Sequence, residues 1–117
     1  MLQLQVLPQD GFFLAHLSGL VSVQAWEQAL RDLEAATSAE PGNRLVVDLT
    51  ALVGWLGVPE RTAVGACMAA RLTRMKKVAL FIQPEKIVGV VQAEARRNGL
   101  DLQMFSSYPA AAAWVVS

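Results

Sequence analysis

RLVVDLTALVGWLGVPER, residues Arg44 to Arg61, decides the fold. Its opening run, Leu45 to Leu49, is short, apolar and β-branched, which suits a strand buried on both faces of a parallel sheet. Pro59 follows where a helix can open, because a first-turn residue has no intrahelical use for the N–H that proline lacks. Between them lies an apolar connection, Ala51 to Val58, in a place where polar turn residues are usual. A strand, a connection and a helix in that order form half of a βαβ unit, so the elements on either side decide whether the pattern continues.

It continues in both directions. On the N-terminal side, LQLQVL (Leu2 to Leu7) alternates apolar and polar residues with period two. PQDG then offers a tight reversal, and FFLAHLSG completes a predicted hairpin. Ser22 is placed to cap a helix in which Val23, Trp26, Leu30 and Leu33 recur at spacings of three and four. Glu27, Arg31, Asp32 and Glu34 take its wet side. Pro41-Gly42-Asn43 is expected to end that connection. On the C-terminal side, the helix opened by Pro59 is expected to run to about Met75, with Ala63, Ala66, Ala69 and Ala70 keeping its flank thin enough to lie against a sheet. KVALFI (Lys77 to Ile82) reads as a strand. QPEKIVGVVQAEARRNG (Gln83 to Gly99) reads as a helix with Pro84 and Glu85 at its start and Arg96 and Arg97 at its end, in agreement with the helix dipole. LDLQMF and SSYPAAAAWVVS supply a last strand and a last helix that Ser107 can cap. The predicted order is ββαβαβαβα: one α/β domain over residues 1–117, with a mostly parallel central sheet, an N-terminal antiparallel hairpin strand and right-handed crossovers.

Composition narrows the function. Ten basic and ten acidic residues cancel in a chain of 117, so no overall field draws the protein to nucleic acid. One cysteine excludes a disulfide framework, and one histidine with one cysteine cannot supply a zinc site; no metal or cofactor is expected. The glycines form no phosphate-cradling run. The start has no secretory pattern and no uncharged run approaches the roughly 18 residues that span a bilayer, so a cytoplasmic location without a transmembrane segment is expected. Hydrophobic residues make up 54% and charged residues 17%. That is much apolar surface for a small domain to hide, and a homodimer is the commonest outlet for such an excess.

Few residues offer chemistry. His16 lies mid-strand and is read as structural, Cys67 as a filler among small apolar neighbours. Arg71 to Lys77 (RLTRMKK) reads as a solvated helix end, with an anion or lipid-headgroup contact as the sharper alternative. Asp48 closes a parallel-type strand at the carboxyl edge, where open α/β sheets place ligands, or simply accepts bonds from nearby N–H groups; Thr50 can do similar work. The apolar connection carries most weight. Val53, Trp55, Leu56 and Val58 left in water would each forfeit roughly 1.5–3 kcal/mol, a total comparable with the roughly 5–15 kcal/mol by which a domain is stable. They therefore pack on their own domain, on a second copy, on a partner or on a small apolar ligand. Gly54 and Gly57 flank the Trp-Leu pair and permit it to hinge. No nucleophile, base and oxyanion group can be assembled, and a non-enzymatic protein is expected.

The element order, the VVDLT strand end with its loop and small-residue helix, and the closing FSSYPAAAAWV resemble the STAS-like domains, specifically the sporulation anti-sigma-factor-antagonist-like group of short bacterial proteins, some also labelled with the CRAL-TRIO-like fold. The resemblance spans nearly the whole chain. It implies a regulatory binding domain. In the phosphorylatable antagonists a strand ending Asp-Leu-Ser precedes Asp-Ser-Ser-Gly at the helix start, where a kinase modifies a serine. Asp48, Leu49 and Thr50 match the first part; the second falls on Trp55, Leu56, Gly57 and Val58, with neither Asp nor Ser. A phosphate-accepting site at a helix N-terminus is thus replaced by apolar surface. The expected binding residues are Asp48, Thr50, Val53, Gly54, Trp55, Leu56, Gly57 and Val58. The alternative is a phosphorylation-dependent regulator using Thr50 or Thr62.

Overall fold

Alternation in Leu2–Gln9 (β1) and Phe12–Leu20 (β2) produces the expected hairpin, closed by Gly11 at φ +86°, a conformation that glycine adopts without penalty. The computed structural model describes residues 2–37, 44–87 and 89–117, and Pro41 to Asn43 lie outside them. The remaining elements are α1 (Val23–Ala36), β3 (Arg44–Val53), α2 (Val58–Arg71), β4 (Lys77–Phe81), α3 (Val90–Arg97), β5 (Leu102–Phe105) and α4 (Tyr108–Val116). The five strands lie in the order β1-β2-β3-β4-β5, with β1 antiparallel to β2 and the other pairs parallel. This is the predicted α/β architecture.

Helices α1, α2 and α3 cover one face. Trp26, Leu30 and Leu33 of α1, Val64 and Met68 of α2 and Ala95 of α3 are buried there against Leu17, Leu45, Val47 and Leu80. On the other face α4 sets Ala111 and Val115 on Leu14, Val46 and Ala79, with Phe81, Phe105, Tyr108 and Trp114 around them. Ser22 caps α1 as expected, its hydroxyl accepting the Ala25 N–H at 3.0 Å, and Ser107 caps α4 through Ala110 at 3.4 Å.

Four local features differ from the sequence reading. Strand β3 does not stop at Leu49 but runs to Val53, so Ala51, Leu52 and Val53 belong to the sheet. The ladder accommodates this with a bulge: between the pairs His16–Asp48 and Ser18–Ala51, the single residue Leu17 faces both Leu49 and Thr50. Helix α2 stops at Arg71 because a turn then buries Leu72 and Met75. The stretch from Pro84 makes one 3₁₀ turn, Pro84–Lys86, and α3 begins only at Val90; the Gln83 and Lys86 side chains bond carbonyls of β3, Nε2 to Thr50 at 2.8 Å and Nζ to Leu52 at 3.5 Å, holding the turn on the sheet end. The thin flank of α2 meets another helix, since Gly65 packs on the backbone of α3.

Candidate functional site

Parallel strands β2 to β5 bring their carboxyl ends to one edge, which is where an open α/β sheet presents loops to a ligand. After the bulge, Leu52 returns to the three-helix core while Val53 projects from the opposite face and stays 61% exposed. Gly54 then takes φ +104°, and a side chain there would press on Leu20 and Val21, at 3.1 and 3.2 Å. That turn delivers Trp55 and Leu56 to the space beside α2. Leu56 is half-buried against the core, whereas Trp55 is 64% exposed. The Arg61 guanidinium, in the first turn of α2, lies 4.0 Å from the centroid of the Trp55 ring, a cation–π contact that gives the indole a defined position.

Under this loop is an open cavity of about 90 Å³. Trp26, Leu52, Trp55, Leu56, Met68 and Val91 are among its walls, and Arg61 and Lys86 are the two charged residues that line it. Around it the edge is unusually apolar. Of the six large hydrophobic side chains exposed among the described residues, five lie at this end: Leu20, Val53, Trp55, Val58 and Ile87. Beyond Leu52, which is buried, the connection read as core or surface is therefore largely surface, with Leu56 half-buried.

No family model matches the sequence, and no curated protein matches it. Solved structures do match. One is an uncharacterised protein of the DUF3478 family with a SpoIIAA-like fold from Shewanella loihica PV-4, with TM-score 0.66 and 18% identity over 97% of this chain and 93% of that one. Another is an anti-sigma factor antagonist from Mycobacterium paratuberculosis, with TM-score 0.61 and 20% identity over 100% and 96%. The fold is SpoIIAA-like. The STAS-like resemblance read from the sequence thus holds at the level of architecture.

Within this SpoIIAA-like frame the expected site residues divide between the two faces of the sheet. Gly54, Trp55 and Leu56 line the cavity; Val53, Gly57 and Val58 sit beside it at the edge. Asp48 and Thr50 face the other way. In register across the sheet run Gln5, His16, Asp48, Phe81 and Phe105, on the face that carries α4. Asp48 Oδ2 lies 3.0 Å from His16 Nδ1, and its Oδ1 accepts from the Thr50 N–H at 2.9 Å and the Thr50 hydroxyl at 2.6 Å. An ionised carboxylate only accepts, so Nδ1 carries the proton in this pair. Asp48 thereby fastens the bulge: it joins the strand before it to the residue extruded by it. The Thr50 hydroxyl is directed at Asp48 and not at His16.

Thr62, one turn into α2, donates its hydroxyl to the Val58 carbonyl at 2.9 Å. Gly57 caps α2 with no side-chain bond, and Glu60 is folded back toward it, its carboxylate oxygens 3.1 and 3.3 Å from where a Gly57 Cβ would sit. Three of the four cations of the basic stretch are engaged in structure: Arg71 pairs with Glu34 at 3.5 Å, Arg74 donates to the Glu34 carbonyl, and Lys77 reaches Trp114 and Ser117. Burial pushes the Cys67 thiol above its ordinary value, reinforced by Glu27, which lowers its thiolate fraction. Among the described residues no three His, Cys, Asp or Glu side chains gather as metal ligands, and no helix is long and apolar enough to cross a membrane. The reading of the residues missed Arg61 and Lys86. Their signal was present: a cation in the first turn of the helix after the Trp-Leu pair, and another just beyond the next strand, both at the edge the parallel order predicts.

Proposed function

We propose that this SpoIIAA-like domain is a non-enzymatic regulatory module that binds a partner protein through the carboxyl edge formed by Leu20, Val53 to Val58 and the start of α2. One observation carries the reading: five of the six exposed large hydrophobic side chains collect at that edge, around an apolar cavity. Such a concentration is expensive in water and marks interaction surfaces. A chain of the same fold that is named an anti-sigma factor antagonist makes a regulatory role the natural setting.

Size selects among the occupants weighed from the sequence. Pockets for cofactors and drug-sized ligands run to roughly 300–1,000 Å³, and an engineered cavity of about 150 Å³ accepts a benzene. A cavity of about 90 Å³ favours a single side chain from another protein over a lipid. The phosphorylation reading has less support: a phosphate on Thr50 would meet the Asp48 carboxylate 2.6 Å from its oxygen, and the Thr62 hydroxyl is spent on a helix carbonyl.

The test is affinity capture from source-cell lysate with wild-type protein, Trp55→Ser/Val58→Ser, and His16→Ala as a control on the opposite face. The expected result is a protein held by wild type and His16→Ala and lost from the double variant. If the captured set is the same for all three, the edge is not the binding surface. Sedimentation velocity tells whether the partner is a second copy.

A further inference from the structure

The edge that the proposed function uses is apolar but not neutral. Arg61 and Lys86 are the charged residues lining its cavity, and both are cationic, in a chain whose charges otherwise cancel. They reach it from two different elements, Arg61 from α2 and Lys86 from the 3₁₀ turn after β4. The carboxylates adjacent to them in sequence do not neutralise them: Glu60 is turned toward Gly57, Glu85 is exposed, and neither lines the cavity. Among the described residues Arg61 makes only the stacking contact with Trp55, and Lys86 only its 3.5 Å bond to the Leu52 carbonyl. The planar guanidinium, fixed by its face, therefore offers its five edge donors without a protein acceptor. A pre-positioned arginine fork of this kind matches a carboxylate in bidentate geometry, and a half-buried lysine across a small apolar hollow adds a second anionic position.

Resting on the reading of this edge as a protein-binding surface, we infer that the partner presents one bulky apolar side chain flanked on both sides by carboxylates, the apolar group entering the cavity under Trp55 and the carboxylates meeting Arg61 and Lys86. An acyl chain with a carboxylate head has matching charge but exceeds the available volume. An uncharged apolar segment fits the hollow and leaves both cations partly dehydrated without compensation. The acidic, amphipathic segment satisfies both parts of the site.

The test uses a phage library of random 12-residue peptides, selected on the immobilised full chain. An enriched peptide is then synthesised and titrated by fluorescence anisotropy against variants whose folding is verified by circular dichroism. The expected consensus has a Leu, Ile or Met with Asp or Glu within about three positions on each side. Trp55→Ser abolishes binding. Arg61→Gln and Lys86→Gln each weaken it roughly two- to tenfold, Arg61→Lys by less, and added salt weakens wild-type binding until it approaches that of the glutamine variants. A consensus without acidic residues, still lost on Trp55→Ser, overturns this inference and leaves the surface reading standing. Octanoate displacing the peptide at low concentration also overturns it. No enrichment, or peptides indifferent to Trp55→Ser, overturns both.

Discussion

Gly65→Ala sets two effects of opposite sign against each other, and the geometry decides between them. Gly65 is buried in α2 with a helical backbone, and a glycine inside a helix costs about 0.5–1 kcal/mol relative to alanine, so propensity alone favours the substitution. The added methyl, however, would stand 2.8 Å from the Val91 carbonyl oxygen and 2.9 Å from Glu94 Cβ, both on the facing helix α3. Neither is the far end of a flexible side chain, so relief requires α3 to move as a body. Overpacking of this kind costs typically about 1–3 kcal/mol. The central difference is a net loss of about 1 kcal/mol, with about 2.5 as the upper end, which for a domain of this size lowers Tm by about 3–5 °C per kcal/mol. Urea denaturation followed by circular dichroism measures it as a lower midpoint at unchanged slope. Ala63→Gly, at an exposed position of the same helix, isolates the propensity effect and should lose up to about 1 kcal/mol. A Gly65→Ala protein as stable as wild type, or more so, would refute the close α2–α3 contact, and with it the positioning of Val91 in the cavity wall.

Asp48→Asn removes the charge from an acceptor that serves His16 and Thr50 together, and an amide cannot accept on both sides; a loss of about 1–2 kcal/mol in urea is expected, and an unchanged midpoint refutes the bulge-fastening role. Trp55→Ser should change stability by less than about 1 kcal/mol, because the ring is 64% exposed and its cation–π contact is worth about 0.5–1 kcal/mol; a loss above about 3 kcal/mol in the same assay would place the indole in the core. Cys67, with its thiol raised by burial above the ordinary 9.0, should react with a disulfide reagent at pH 8 far more slowly than free cysteine. The folded state holds that proton more tightly than the unfolded chain. The resulting stabilisation is full below pH 9 and disappears as pH rises through the folded value; a Cys67→Ser variant should lack this alkaline decline.

Periodicity made most of the architecture legible. The Leu2 to Leu7 alternation, the spacing of Trp26, Leu30 and Leu33, and the apolar runs at Leu45 and Lys77 are each determined by which face must be covered, and the parallel order follows from helices between strands. What escaped depends on side chains that reach across sequence. Nothing near Leu49 announces that β3 will continue: a strand that kept its alternation through Thr50 and Ala51 would have pointed Leu52 at solvent. The bulge reverses the faces at that step and returns Leu52 to the core, and it is secured by Asp48, acting on a neighbour two residues away and on His16, 32 residues away. The late start of α3 has a similar origin, since the bonds from Gln83 and Lys86 to β3 carbonyls override the helix-opening signal of Pro84 and Glu85. Loop exposure was undecided from sequence because the transfer free energy of Trp55 and Val53 constrains only whether something covers them, not whether the cover is the same chain.

The reversal at the bulge also bears on how the two halves of the expected site can act. Asp48 and Thr50 precede Trp55 by only a few residues, and the sequence groups all of them as expected binding residues. With the sheet between them, Asp48 opens toward the α4 face beside His16, while Trp55 and Leu56 overhang the cavity on the three-helix face. One small occupant cannot touch both, so Asp48 influences the edge only by fixing the path of β3. Perturbations of the two should then combine in a defined way: Asp48→Asn lowers stability with binding at the edge retained, Trp55→Ser removes binding with stability retained, and the double variant shows both effects additively, as distant sites do within about 0.3–0.5 kcal/mol. A coupling free energy well above that in peptide binding would mean that the bulge transmits its state to the loop through the four residues from Thr50 to Val53. In that case the polar cluster on the far face would be a control point for the apolar edge and not merely its anchor.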